Sequence, residues 1–410
     1  MRKFDPFLSL SIREYRLFLI GFFISQMGLQ MQIIAVNWHI YQISHSAVIL
    51  GLVGIVSFAP MLLLSTIGGL TADHVDRKKL LMATQAFLAL VALSFAIVTA
   101  AGTDSIPVIF ILLGLNFSAM AFFGPVRQSI IPDLVPKTHL LNAVSLNTLA
   151  RQSAVIIGPA IAGFLIALYG VQSIYLFNSA GLIIVIVTIV FLKIPAHPHD
   201  KKSSFSIGSV MESLRFVKKS KLLLSATLLD FFASFFGSAT SLLPIFAADI
   251  LQVNAQGLGL LYAATSAGAV IAGISLASLK KLHHYGRVII GAVIMYGLAT
   301  IGFGLSHSFY LSLAFLAIAG AGDMISTILR NNIRQTITPA NMRGRMTGIH
   351  ILFAQGGPKL GDAEAGFVAA ATSAPASVVI GGIGTVAATL AISFFTPRLR
   401  KFKGHELIPE

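Results

Sequence analysis

The chain has 410 residues, of which 56% are hydrophobic and 11% charged, and it carries a formal net charge of +14 at pH 7; its mean hydropathy is +0.85. A soluble domain has about 25% charged residues, so this composition excludes an ordinary water-soluble globule and argues for a polytopic membrane protein. Because the sequence contains no cysteine, disulfides, thiolate zinc sites, iron–sulfur clusters and cysteine nucleophiles are excluded too.

In chain order, apolar spans are read at 15–41, 47–72, 80–101, 106–126, 139–169, 172–193, 222–248, 256–279, 287–306, 308–329, 346–371 and 376–396, twelve in all. Spans of this length predict helices rather than barrel strands, since lipid leaves backbone groups no other way to pair. The longer ones exceed what about 30 Å of hydrocarbon requires, so tilt, kinks or protruding ends are expected. The first span follows the charged start MRKFDPFLSLSIREYR. It is longer than a signal-peptide core and has no clear small-residue cleavage site, so it is read as retained.

Six spans lie on either side of the longest polar segment. The chain is therefore divided into a six-helix bundle at 1–193, a linker at 194–221, and a second six-helix bundle with a short tail at 222–410. In the linker, Ile207, Val210, Met211, Leu214 and Val217 recur at helical spacing beside Arg215, Lys218 and Lys219. This predicts an amphipathic helix on the anionic face of the membrane.

Of the 29 Lys and Arg residues, 27 fall at the termini, in alternate connections or at the span ends that border them, and the other two, Arg151 and Lys359, fall in the interior of spans. The six short turns of the opposite side carry none. By the positive-inside rule both termini are expected in the cytoplasm. The same asymmetry accounts for the net charge without nucleic acid. The phrase VRQSIIPDLV (126–135) returns half a chain later as IRQTITPANM (333–342), each copy closing the fourth span of its half. This is an internal repeat. Arg127 and Arg334 then sit where spans four and ten reach the basic side, suited to pairing with phosphate or loop acids, or to anchoring alone.

Spans three, six, nine and twelve hold no charged residue before their basic-side ends and read as lipid-facing supports. The intramembrane acids are Asp230, Asp323, Asp362 and Glu364; span one carries Gln26, Gln30, Gln32, Asn37 and His39, and span four Asn116. Ionisable groups in lipid cost a few kcal/mol each and face a cavity or a partner. Spans one, four, seven and ten are equivalent in a two-fold plan, so a polar cavity between halves is expected, as in secondary transporters.

Asp323, Asp230, Glu364 and Asp362 are the candidates for carrying a proton; fixed helix–helix contacts are the competing role. Asp323 and Arg330 lie two turns apart on one helix face, about 10 Å. Lys359, three residues before Asp362, offers that acid a partner, which favours a structural role for Asp362 and Glu364. The expected substrate-cavity residues are Gln26, Gln30, Asn37, Asn116, Phe123, Phe231, Phe235 and Arg330. The amides among them serve equally well as inter-helix hydrogen bonds.

GGLTADHVDRKKLL (68–81) resembles the signature loop of the major facilitator superfamily, carried here by Gly69, Asp73, Arg77 and Lys78. The resemblance implies a latch that holds the outward-open state. GPAIAG (158–163) resembles the superfamily's antiporter motif through Gly158, Pro159 and Gly163, with Ser145 and Ala154 standing where the full motif has glycine; it favours export. The fourth-span arginine of the family is absent, with Asn116 the main polar residue in the middle of that span.

The run GAGDMISTILRNNIRQTITPANMRGRM (320–346), with LGDAEAGFVAA and VVIGGIGT after it, is similar to the branch of enterobactin-type siderophore exporters and macrolide efflux pumps. That resemblance implies an all-α membrane protein with 12 transmembrane helices in two pseudo-symmetric six-helix bundles, the major facilitator fold. It implies proton-coupled export of small amphipathic compounds by alternating access, in a bacterial inner membrane. The partners would be a small-molecule substrate, protons and the bilayer, for a functional monomer with a proton gradient and no cofactor.

The alternative is an importer or uniporter of a defined metabolite. No phosphate loop is present, because Gly-Lys never occurs, and neither HExxH nor GxSxG appears. With its acids dispersed, the chain is not read as an enzyme. His283 and His284 lack a third ligand, so no metal site is expected.

Overall fold

In the computed structural model, residues 8–192, 215–218, 220–238, 240–279, 282, 284–338 and 343–403 are described. Their long helices are α1 (Arg13–Ser44), α2 (Ala47–His74), α3 (Arg77–Ala100), α4 (Ile106–Leu134), α5 (Leu140–Tyr169), α6 (Val171–Phe191), α7 (Lys221–Gly237), α8 (Ala255–Ser278), α9 (Tyr285–Leu305), α10 (Phe309–Ile337), α11 (Arg343–Ala371) and α12 (Ala374–Phe395). No strand occurs among the described residues. Among the described residues, eleven segments are long and apolar enough to cross a membrane. The segment left out is α11, which carries Lys359, Asp362 and Glu364 in its middle. The protein is an all-α, multi-pass membrane protein.

The helix ends follow from local chemistry. Asp76, Asn254 and Ser373 cap α3, α8 and α12 by accepting hydrogen bonds from backbone N–H groups of the first turn. Pro107 and Pro375 sit in the first turns of α4 and α12, where no N–H is needed. Gly170, at φ 74°, stops α5 and starts α6.

The seventh span departs from the single helix expected over 222–248. It breaks after Gly237, re-forms as a 3-10 turn at Thr240–Leu242, and ends in a π-helical turn at Phe246–Ile250. Pro244 withholds a backbone donor here. Polar groups of the break are taken up by Asp362, as described below.

Contacts divide the chain into one unit of Met1–Ile43 with Ala59–Phe205 and another of Ser44–Phe58 with Ser206–Glu410. This division differs from the expected one, 1–193 and 222–410 about a linker at 194–221, in placing 44–58, the opening of α2, with the second unit. That stretch joins the second unit because glycines let it approach α11 backbone to backbone. A Cβ on Gly51 would stand 3.0 Å from both the Ala363 carbonyl and Gly366 Cα, and one on Gly54 would collide with the Lys359 carbonyl.

Within each unit the packing repeats. In the first, α3 packs on α6 and α4; in the second, α9 packs on α12 and α10. Gly68 of α2 meets the backbone of Ala121 in α4, and Gly268 of α8 meets that of Ala317 in α10. Each unit has an apolar core at its basic end: Tyr15, Val126, Ile130 and Ile189 in one, Leu229, Ile289, Ile333 and Leu399 in the other. Large apolar side chains left exposed, such as Leu90, Phe177, Ile184, Ile383 and Phe394, suit contact with lipid on α3, α6 and α12.

Of the expected linker helix, Ile207, Val210, Met211 and Leu214 lie outside the described residues; Val217 is buried and packs with Leu223.

Candidate functional site

The charged centre of the second unit is built on α7 and α10. Arg330, 5% exposed, extends an Nη2–H to Asp230 Oδ1 at 2.7 Å. The same nitrogen donates to Thr327 Oγ1 at 3.0 Å, and Nη1 donates to Ser326 Oγ at 2.7 Å. Thr327 and Ser326 stand one turn before Arg330 and present their hydroxyls on its face. Asp323, two turns back, lies 3.9 Å from the guanidinium, and its side chain is 50% exposed. One buried cation thus faces two carboxylates, one enclosed and one open. The sequence paired Asp323 with Arg330 by spacing but did not show that Asp230, a hundred residues away, is the nearer acid.

Asp362 is 6% exposed. Its Oδ1 accepts hydrogen bonds from Ser238 Oγ and Thr240 Oγ1, both at 3.0 Å, and from the Ser241 N–H at 3.2 Å. The Ser241 hydroxyl donates in turn to the Asp362 carbonyl at 3.2 Å. The acid ties α11 to the break in the seventh span and satisfies polar groups that the interrupted helix leaves open. Glu364, half-buried on the same helix, forms no hydrogen bond or ion pair among the described residues.

Beside this centre, Phe231 stacks on Phe235 at 5.8 Å and meets Phe353 edge to face at 5.9 Å. All three rings are half-buried. Phe353 was not anticipated; one phenylalanine among 30 gives no sequence signal.

In the first unit, Gln26, Asn37 and Asn116 are buried, at 9%, 7% and 4% exposure, and Phe123 belongs to the apolar core. Gln30 packs where α5 crosses α1, 2.9 Å from the position a Cβ on Gly158 would take. Pro159 and Gly163 are buried in the same helix. Asn178 donates to Gln32.

Three residues from distant positions form a further cluster: His39 Nε2 contacts Asp104 Oδ2 at 2.6 Å, and Nδ1 contacts the Tyr175 hydroxyl at 3.1 Å. Asp104 belongs to a short turn without Lys or Arg, a place where sequence reading offered no reason to look.

Around the signature loop, Arg77 Nη1 donates to Asp133 Oδ2 at 2.6 Å, joining the start of α3 to the end of α4. Lys78 Nζ donates to the carbonyls of Val190 and Leu192 at 2.8 and 2.7 Å, so a cation terminates α6 where the helix dipole favours it. The side chain of Asp73 and the surroundings of Gly69 lie outside what is described.

The family described as transmembrane secretion effector, within the major facilitator superfamily, matches residues 4–410. The chain belongs to that family. It is 27% identical over 391 residues to the enterobactin exporter EntS of Salmonella typhimurium, covering 95% of this chain and 94% of that one. With the protein of the same name from Escherichia coli O1:K1 it shares 27% over 409 residues, covering 98% and 97%. Among solved structures, a bacterial homolog of the human lysosomal transporter Spinster superposes with TM-score 0.74 at 14% identity, covering 97% of this chain and 98% of that one. A POT family transporter in complex with 5-aminolevulinic acid gives 0.76 at 12% identity, covering 94% and 96%. These likenesses establish the fold. A member of this family is a transporter, not an enzyme, and its cargo is a small molecule.

Proposed function

We propose that the chain is a proton-coupled exporter of small amphipathic compounds, siderophore-like or drug-like, that works by alternating access of its two six-helix halves in a bacterial inner membrane. The observation that carries this reading is Arg330 held between Asp230 at 2.7 Å and the open Asp323 at 3.9 Å.

An exposed carboxylate in mid-span requires water, a counter-charge or a proton. When Asp323 is ionised it competes with Asp230 for the guanidinium; when it takes a proton, Arg330 is left to Asp230 alone. Proton uptake therefore changes the bond between α7 and α10. Helices seven and ten are the pair that a two-fold plan sets beside a central cavity.

Export as the direction is supported by the two relatives named enterobactin exporter. The rings of Phe231, Phe235 and Phe353 supply an apolar wall for an aromatic cargo. The distribution of Lys and Arg supports cytoplasmic termini.

The test is substrate-triggered proton movement in proteoliposomes containing the full chain, read by a trapped pH dye, with catecholate siderophores, macrolides and lipophilic cations offered in turn. An active compound should drive proton flux in the wild type, and Asp323→Asn should abolish the flux while leaving binding intact. Flux unchanged in Asp323→Asn would sink the coupling role, and substrate movement without any proton flux would sink antiport.

A further inference from the structure

Arg151 of α5 is exposed and forms no hydrogen bond or ion pair among the described residues. It lies eleven residues past Leu140, the first of the helix, or roughly 16 Å along the axis. At such a depth a charge needs water or a counter-charge. The face it occupies is not turned to lipid. Asn147, Ala154 and Gly158 fall on the same side of α5 and are buried, Asn147 against Arg127 of α4 and Gly158 against Gln30 of α1. Arg151 therefore opens on a recess beside α1 and α4, not on acyl chains.

Arg127 supplies a second cation. Its Nη1–H donates to Asn147 Oδ1 at 3.1 Å, and the guanidinium stands 4.6 Å from the centre of the Phe22 ring. Amide and ring hold its plane in place and leave most of its donors unused. Its other nitrogens are not enclosed. The charged group that acts on it is Arg151, of the same sign. The acids of residues 8–192 are Glu14, Asp73, Asp76, Asp104 and Asp133, all at helix ends or in turns, and Asp133 is taken by Arg77. Two cations thus share one recess with no carboxylate in ion-pair distance among the described residues.

We infer that Arg127 and Arg151 bind the anionic group of the cargo, which is therefore an organic anion: a carboxylate, sulfonate or ionised catechol on an apolar body. This rests on the transport reading above and narrows its cargo from amphipathic compounds in general to acidic ones.

A guanidinium presents paired donors that match the two oxygens of such a group, and here one comes from α4 and one from α5. Asn147 is a positioning residue: it holds Arg127 and stands one turn from Arg151 on the same face of α5. An amine-bearing cargo would add a third positive charge to the recess, and like charges brought together oppose binding. The headgroup of an anionic lipid and free phosphate share the chemistry of the acidic cargo, so the experiment separates the three.

The experiment measures equilibrium binding of 1-naphthoate, and of its neutral isostere 1-naphthamide, to the full chain in phosphatidylcholine nanodiscs. The wild type is expected to bind naphthoate about tenfold more tightly, by a margin that shrinks as ionic strength rises. Arg127→Gln and Arg151→Gln should each lower naphthoate affinity towards that of naphthamide, and Arg151→Lys should keep the larger part of the preference. Equal wild-type affinities, no naphthoate binding, or a preference that survives both glutamine variants would overturn the proposal. Naphthoate displaced by phosphatidylglycerol in the disc, or by inorganic phosphate at the probe's own concentration, would overturn it too and give the arginines to a headgroup or to phosphate. The wild-type comparison decides even where a variant does not fold. No proton gradient is applied, so a failure of proton coupling leaves this readout standing, and a missing naphthoate preference leaves proton flux to be judged on its own.

Discussion

Arg330 and Asp230 are joined at 2.7 Å across α7 and α10, with side-chain exposures of only 6% and 10%. Removing the nearer acid leaves Arg330 only Asp323 at 3.9 Å, so Asp230→Asn is expected to destabilise the protein by about 3 kcal/mol, the lower end for breaking a buried pair. Asp323→Asn should change thermal stability little, because its carboxylate is half exposed and 3.9 Å from the cation. Parallel melts of the two variants in detergent check the contrast. If Asp323→Asn proves the less stable, the assignment of the enclosed and open acids is wrong.

Asp362 offers a second contrast. Its Oδ1 collects two hydroxyl donors and one backbone N–H from the break in the seventh span. Asp362→Asn keeps an acceptor oxygen and should retain most stability. Asp362→Ala leaves these donors unmet in a buried place and should cost about 3 kcal/mol or more, at about 1 kcal/mol or more per unmet donor. Hydrogen exchange at residues 238–245 should rise in the alanine variant only.

Much of this architecture was open to sequence reasoning. The apolar runs gave the helices, because a lipid-exposed backbone must pair within its own segment. The echo of Arg127 in Arg334 gave the two-fold plan. The break after Gly237 was hidden, because Ser238, Thr240 and Ser241 are ordinary span residues until Asp362, over a hundred positions later, is placed against them. The packing of the opening of α2 against α11 was hidden for a related reason. A sequence reports that Gly51 and Gly54 are small, but not that α11 presses on them. His39 stood out as a polar residue in its span, but its partners Asp104 and Tyr175 lacked any local signal, since they are defined by what meets in three dimensions.

The contact between Arg77 and Asp133 gives a third prediction. Arg77 is 27% exposed and Asp133 5%, so the pair is partly screened. Arg77→Gln and Asp133→Asn should each destabilise the first unit, and the double variant should lose about 1 kcal/mol less than the sum of the two. Additive losses would mean that the two side chains act independently. Lys78, which holds the end of α6 through two carbonyls, should behave additively with both, since its partners are different.

Glycine-to-alanine changes should have opposite signs at two helical sites. At Gly291 of α9 a Cβ would meet nothing within 4 Å. Alanine there lowers the entropy of the unfolded chain and should stabilise by about 0.4–1 kcal/mol. At Gly268 of α8 the same methyl would land on the Ala317 carbonyl of α10, and at Gly320 of α10 on that of Thr265. Backbone cannot escape by changing rotamer, so α8 and α10 must separate, at a cost of about 1–3 kcal/mol. Melts of Gly291→Ala, Gly268→Ala and Gly320→Ala should therefore bracket the wild type, the first above and the other two below. Transport should fall with the latter pair, because a displaced α10 carries Asp323 and Arg330 away from Asp230 on α7. Retained stability in Gly268→Ala would mean that the two helices lie farther apart than their glycines imply.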